Sequence, residues 1–270
     1  MIRIHSVQGR KAAAMKIIGI DTSNIDSEHI CCALGNDADN RAAAQRKKDW
    51  LKARFADGLA FRRLDQRGKV FIEYLPVEMA WKPIQGKNYM LIHCLWVSGQ
   101  FKGHGHSVHL LDACVKDAKA RKMDGVCVVS SDKKRAFLTD KSFFLAQGFL
   151  SVDKAPPYFE LLALSFKKGA AVPAFSAAAK VGRCQVGRGL AIYYSDQCPF
   201  MEKYTALLAD RAAERGMPCK RIKLANRQDA QASASPFGTL GIFFNGHFVG
   251  HELMADKKVG AFLDGLQGPS

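Results

Sequence analysis

No run of 18 or more apolar residues occurs anywhere in the 270-residue chain, so a membrane-spanning helix is not expected. The basic N-terminus lacks an apolar core and a cleavage pattern, which argues against a secretory leader. The eight cysteines are irregularly spaced and none form a Cys-x-x-Cys pair, so neither a disulfide framework nor a paired-thiol metal site is expected. This usage suits the cytoplasm, and Cys94 and Cys127, inside apolar runs, read as small hydrophobes. There is no Gly-Lys-Ser/Thr for a Walker loop, and Val108 stands where a dinucleotide fingerprint needs its third glycine. No internal repeat is visible. Acidic residues are few, 25 against 40 Lys and Arg, giving a formal charge of +15. That balance suits an anionic ligand, with nucleic acid as the alternative. No basic stripe interleaved with aromatics supports nucleic acid, however. The cations Arg46, Lys47, Lys48, Lys52 and Arg54 read as the solvated face of an amphipathic helix whose apolar side holds Trp50, Leu51 and Phe55.

The informative stretch runs from Asn88 to Gly105. The apolar run Tyr89-Met90-Leu91-Ile92-His93-Cys94-Leu95-Trp96-Val97 ends in Gln100-Phe101-Lys102-Gly103-His104-Gly105, and the residues from about His106 to Arg121 read as a helix. A strand feeding a glycine turn that opens a helix makes an anion site. The first helical N–H groups have no internal partner, the helix dipole is positive there, and glycine lets a bulky group approach the backbone. Upstream lie strand-like runs at Leu59 to Leu64 and Val70 to Leu75, joined by the polar turn Asp65-Gln66-Arg67-Gly68. Downstream come strand candidates at Gly125 to Ser130 and Tyr158 to Phe166, with the short helix Phe143-Phe144-Leu145-Ala146-Gln147 closed by Gly148-Phe149 between them.

The Gln-x-x-Gly-x-Gly turn in this order of elements resembles the acetyl-coenzyme A loop of the GNAT N-acetyltransferases. The resemblance covers about residues 15–168, after an extension at 1–14. It implies an α/β (α+β) fold with a mixed sheet flanked by helices. It also implies acetyl-CoA as cofactor and a sheet in which the strand through Leu95, Trp96 and Val97 splays from its neighbour. The expected cofactor contacts are those three residues with Gln100, Phe101, Lys102, Gly103, His104, Gly105, His106, Ser107 and Phe144. Backbone N–H groups from Lys102 to Ser107 would hold the diphosphate, and the Lys102 side chain would add charge.

Residues 169–187, rich in Ala, Ser, Gly and Lys, read as a linker. The second half then runs strand Leu190 to Tyr194, Cys198, a helix over about Glu202 to Arg215, strand Cys219 to Leu224, a hairpin turning at Asn245-Gly246, and a helix over about Asp256 to Leu266. Residues 188–270 are similar to a small thioredoxin-like α/β domain, and the pairing resembles bacterial acetyltransferases with a YoaP-type C-terminal domain. Met201 replaces a resolving cysteine, and Gly238 stands where thioredoxins place a cis-proline, so two-cysteine disulfide exchange is not expected.

Acetyl transfer needs a neutral amine, hence a base. Glu73, Glu78 and His93 all qualify. Glu78, beside Met79-Ala80-Trp81, sits where an apolar setting would raise its pKa. The tyrosine that many GNATs use as acid is replaced by Phe144. Cys198, at a helix start, is a candidate reactive thiol. His106 and His109 at helical spacing, or Cys31 and Cys32, lack a full coordination shell, so no metal is expected. These readings converge on an N-acetyltransferase acting on a primary amine of a small molecule or amino acid derivative, without nucleic acid or membrane as partner and with a homodimer left open. A non-catalytic acetyl-CoA sensor or thiol-binding protein is the alternative, and a thiol oxidoreductase working through Cys198 is a third.

Overall fold

The computed structural model describes residues 16–267, and the extension expected at 1–14 lies outside them. The first half builds a seven-stranded sheet. Its strands are β1 (Ile17–Ile20), β2 (Ala60–Leu64), β3 (Val70–Pro76), β5 (Tyr89–Val97), β6 (Gly125–Ser131), β7 (Leu150–Ala155) and β8 (Phe159–Ser165), in the order β1-β2-β3-β5-β6-β8-β7. Only β5 and β6 run parallel; the other neighbours are antiparallel. Helix α2 (His106–Ala120) makes the crossover between them and packs Leu110, Leu111, Cys114 and Ala118 onto one face of the sheet. That spacing is one stripe of a 3.6-residue period. The short helix α3 (Lys141–Ala146) adds Phe144 to the same face, edge-on to Phe149 with ring centroids 5.0 Å apart.

Helix α1 (Ala38–Phe55), capped by the Asp37 side chain accepting from the Asn40 N–H, covers the opposite face. Its inward residues are Ala43, Lys47, Trp50 and Leu51. Lys47 is therefore not on the solvated face expected for it. It shares the i, i+3, i+4 stripe with Trp50 and Leu51, and its charge is satisfied inside.

The second half forms a four-stranded sheet from β10 (Leu190–Tyr194), β11 (Cys219–Lys223), β12 (Leu240–Phe244) and β13 (His247–Gly250), in the order β11-β10-β12-β13. Strand β11 is parallel to β10, β12 antiparallel to β10, and β13 antiparallel to β12. Helices α5 (Met201–Ala213), α6 (Arg227–Gln231) and α7 (Asp256–Gln267) complete it. Strand β9 (Ala174–Phe175) pairs with β4 (Ile84–Gln85), and α4 (Ala177–Val181) follows. Strand β9 and helix α4 fall in the stretch read as a linker, which buries Phe175 and Ala179.

The two sheets share one hydrophobic cluster. It holds Trp50, Leu51 and Trp81 from the first half, Phe175 from the connection, and Leu190, Phe237, Leu240 and Leu263 from the second. Polar ties reinforce the contact. Tyr158 Oη donates to His251 Nδ1 at 2.8 Å, leaving His251 Nε2–H to donate to the Ala136 carbonyl at 3.1 Å. Gln231 Nε2 donates to the carbonyls of Glu78 and Ala80 at 3.1 Å. Gly238, at φ +80°, lies so close that a Cβ there would sit 2.9 Å from the Trp81 carbonyl oxygen and 2.7 Å from Lys82 Cγ. Only glycine permits that approach in that conformation.

Candidate functional site

Pairing between β5 and β6 stops at Ile92 and Val128. Strand β6 continues to Ser131 beside β8, and β5 continues to Val97 beside β3, so the two diverge into a wedge. From His93 onward the β6-facing edge of β5, including Leu95, Trp96 and Val97, has no ladder partner among the described residues. Such unpaired N–H and C=O groups are ready to bind an extended polar chain. Thr139 Oγ1 donates to the Val129 carbonyl at 3.0 Å and covers part of the opposite edge.

At the end of β5 the chain makes a 3₁₀ turn at Gly99–Phe101, in which the Lys102 N–H donates to the Gly99 carbonyl at 3.2 Å. Lys102 is thus spent locally and does not contribute the free N–H expected of it. The N–H groups of Gly103, His104, Gly105, His106 and Ser107 have no acceptor among the described residues. Gly103 and Gly105 take φ of +80° and +77°, and a Cβ on Gly103 would meet nothing within 4 Å. Phe101 anchors the turn. Its ring lies over Gly68 in the β2–β3 turn and edge-on to His106 at 5.9 Å. The side chains of Gln100, Lys102 and His104 are exposed.

On the other side of the wedge, a cavity of about 530 Å³ opens between the first sheet and the second half. Leu95, Trp96 and Val129 form its floor, and Phe137 to Thr139 one side. The turn from Gln197 to Met201, with Phe237 and Thr239, supplies the facing wall. A β-bulge in β5 opposite Glu73 and Tyr74 brings His93 and Cys94 side by side onto the cavity wall.

Glu73 is the buried centre of this wall. One carboxylate oxygen accepts from Lys47 Nζ, the other lies 3.3 Å from His93 Nδ1. Burial raises the Glu73 pKa, but Lys47 and His93 outweigh it, so the carboxyl is held below its usual range. The Trp81 N–H donates to His93 Nε2 at 3.3 Å, so that nitrogen carries the lone pair and Nδ1–H points at Glu73. Burial drives the His93 pKa down to about 4, and the ring stays neutral. Both ring nitrogens of His93 are thus engaged within the wall.

Glu78, the other expected base, lies outside the cavity. It is exposed on a 3₁₀ turn at Val77–Met79, and its Oε1 accepts the Asn88 N–H at 2.7 Å. Phe144 is fully buried among α2 and Phe149, on the face away from the cavity. Cys198, by contrast, faces Glu73 and Lys47 across it. Burial raises its thiol to about 11, outweighing the Phe200 N–H that lowers it, so it is a neutral thiol rather than the thiolate that a helix start favours. Cys32 and Cys94 line the same space, with pKa values also raised by burial. Among the described residues, no three His, Cys, Asp or Glu side chains come close enough together to hold a metal ion. Nor is any helix among them long and apolar enough to cross a membrane.

Sequence reasoning missed Lys47 and Lys82 as cavity residues. For Lys47 a signal existed: a lysine on the apolar stripe of α1. For Lys82 there was none, because its partner Phe237 is 155 residues away.

A mixed sheet in this order, flanked by helices and split beside a glycine turn at a helix start, is the architecture of a GNAT-type acyltransferase. The chain is 43% identical over 252 residues to an uncharacterized N-acetyltransferase, YoaP, of Bacillus subtilis (strain 168), covering 93% of this chain and all of that protein. The YoaP-like family also matches at residues 218–259. This chain belongs to the YoaP family of N-acetyltransferases. Solved structures similar to part of it include the PaiA N-acetyltransferase of Thermoplasma acidophilum in complex with coenzyme A, at 12% identity and TM-score 0.41, covering 57% of this chain and 100% of that one. A GNAT-family acetyltransferase of Staphylococcus aureus Mu50 is 18% identical with TM-score 0.40, covering 56% of this chain and 100% of that one.

Proposed function

We propose that this chain moves an acetyl group from acetyl-CoA to a primary amine of a small molecule or amino acid derivative held in the cavity. The observation that carries the reading is that the cavity floor is the wedge between β5 and β6, with a buried carboxylate on its wall. Residues 16–168 would form the acetyltransferase unit. Residues 188–270, which we read as a thioredoxin-like module, would act as its acceptor-side wall rather than as a redox partner. The five free N–H groups from Gly103 to Ser107, at the positive end of α2, fit a diphosphate. The open space above Gly103 leaves room for it. The open edge of β5 at Leu95 to Val97 would carry the amides of the pantetheine arm and polarise the thioester carbonyl. Acetyl-CoA supplies the activated thioester.

The chain's own task is then to hold the amine and remove its proton. Glu73 would accept the acceptor's ammonium and its proton, with His93 and Lys47 fixing the carboxylate. No side chain need act as acid where Phe144 replaces tyrosine, because a thiolate leaves far more readily than an alkoxide. The eight free cysteines support a reducing, cytoplasmic setting.

Calorimetric titration with acetyl-CoA tests the loop. The wild type is expected to bind, and a Gly103→Val/Gly105→Val variant to bind at least about tenfold more weakly, since each valine is forced to positive φ at about 1–2 kcal/mol. Undiminished binding would remove the loop from the mechanism. Thiol release from acetyl-CoA with a panel of amines separates the transferase from a non-catalytic sensor, which would bind the cofactor and release none.

A further inference from the structure

The charge inside the cavity is one-sided. Four lysines line it, Lys47, Lys69, Lys82 and Lys258, against the single carboxylate of Glu73. Lys47 is taken by Glu73. Lys69 and Lys258 are exposed at the rim, and neither pairs with a carboxylate among the described residues. Lys82 is different. It is 2% exposed, yet among the described residues it has no acidic partner within salt-bridge distance. Its Nζ donates to the carbonyl of Phe237 and lies 4.8 Å from the centre of that ring. An ammonium has three N–H donors, so donors remain unspent on a group that lines the cavity. A buried ammonium without a counter-charge is costly to keep. Burial lowers its pKa to about 8, so at neutral pH it remains mostly charged. The position is not accidental slack, since Gly238 packs against the Cα and Cγ of Lys82 and holds its stem in place.

The wall thus presents three buried charges, the Lys47–Glu73 pair and a Lys82 ammonium that pairs with no carboxylate among the described residues. We propose that the acceptor is a zwitterion, an amine that also bears a carboxylate, with the carboxylate bound by Lys82 and the ammonium by Glu73. A monoanion balances one buried lysine, whereas a phosphate dianion would leave charge over, and among the described residues no arginine lines the cavity to meet it. This deepens the transferase reading and rests on it. It makes the second half of the chain part of substrate selection, because Phe237 and Gly238 hold the lysine that reads the carboxylate.

The test compares matched amines on the full-length protein, following thiol release from acetyl-CoA. Amino acids are set beside their own carboxamides, with phosphoethanolamine and a plain alkylamine as further arms. The carboxylate member of each pair is expected to show at least about tenfold higher kcat/KM, the range for a hydrogen bond to a charged group. Lys82→Met is expected to lower the acid to the level of its carboxamide. Equal or better turnover of carboxamides, alkylamine or phosphoethanolamine by the wild type overturns the inference, as does a preference that survives Lys82→Met. Should that variant fail to fold, the wild-type acid–amide comparison decides alone. Turnover of all amines alike refutes only the carboxylate inference. Absence of turnover with any amine refutes the transferase reading, and calorimetry of the same acid–amide pairs on acetyl-CoA-saturated protein then decides whether a carboxylate is bound.

Discussion

The Lys47–Glu73 pair invites a direct perturbation, Glu73→Gln. The two side chains are 4% and 1% exposed, so bulk solvent compensates poorly for the loss of either partner. Glutamine keeps the shape and can still accept from His93 Nδ1–H, but it leaves the Lys47 ammonium uncompensated. Breaking a buried pair from one side costs on the order of 3–5 kcal/mol. With a urea m-value of about 3 kcal/mol/M, the unfolding midpoint should fall by roughly 1–1.7 M. Fluorescence is a suitable probe, because Lys47 Nζ sits 4.4 Å from the centre of the Trp50 ring, which is itself edge-on to Trp81. The double variant Lys47→Met/Glu73→Gln removes both charges and should regain most of the loss, to within about 1 kcal/mol of the wild type. Acetyl transfer should stay low in both, since each lacks the carboxylate. A single-variant cost below about 1 kcal/mol, or a double variant no more stable than the single, would show that the pair is not the dry, tightly coupled centre derived above.

Acid should weaken the fold before the ordinary carboxylate range is reached. Burial holds His93 and His251 neutral down to about pH 4, whereas unfolded histidine takes a proton near 6.5. The unfolded state therefore binds more protons between those values, and stability is lost as pH falls through that window. At pH 5 the loss is on the order of 2 kcal/mol per histidine. Urea unfolding at pH 7 and pH 5 checks this, and a His251→Gln variant should lose less between them; identical losses would contradict it. Gly238→Ala should cost roughly 2–4 kcal/mol, combining positive φ with a Cβ forced against Trp81 and Lys82. Gly169→Ala, at φ +77° with nothing within 4 Å, should cost only about 1–2 kcal/mol. Thermal or urea unfolding of the two variants, read side by side, separates strain from contact, and equal costs would show that the contact contributes nothing.

Much of the fold was legible because it depends on local pattern. The alternation and apolar runs at 59–64, 70–75, 125–130 and 190–194 became strands, and the 3.6-residue stripes at 106–121 and 202–215 became helices, because burial of one face selects the period. Strand β7 escaped notice because it is an edge strand with an exposed, polar surface. The glycine turn after β5 could be located because positive φ and free helix-start N–H groups are properties of a few adjacent residues.

Which polar groups meet was not legible. Glu73 and Glu78 are equivalent carboxylates five residues apart, and only the end of β3 and the 3₁₀ turn after it decide that one faces the cavity and the other the solvent. The bulge that sets His93 beside Cys94 depends on register with β3, and no single strand encodes that register. Lys82, Phe237 and Cys198 come together because two halves of the chain bury one apolar cluster between them. The sequence by itself determined the elements and the glycine turn at the start of α2, since these arise from short-range sterics and hydrogen bonding. Tertiary structure alone decided the cavity and its charge, because desolvation and pairing depend on side chains that are neighbours in space and distant along the chain.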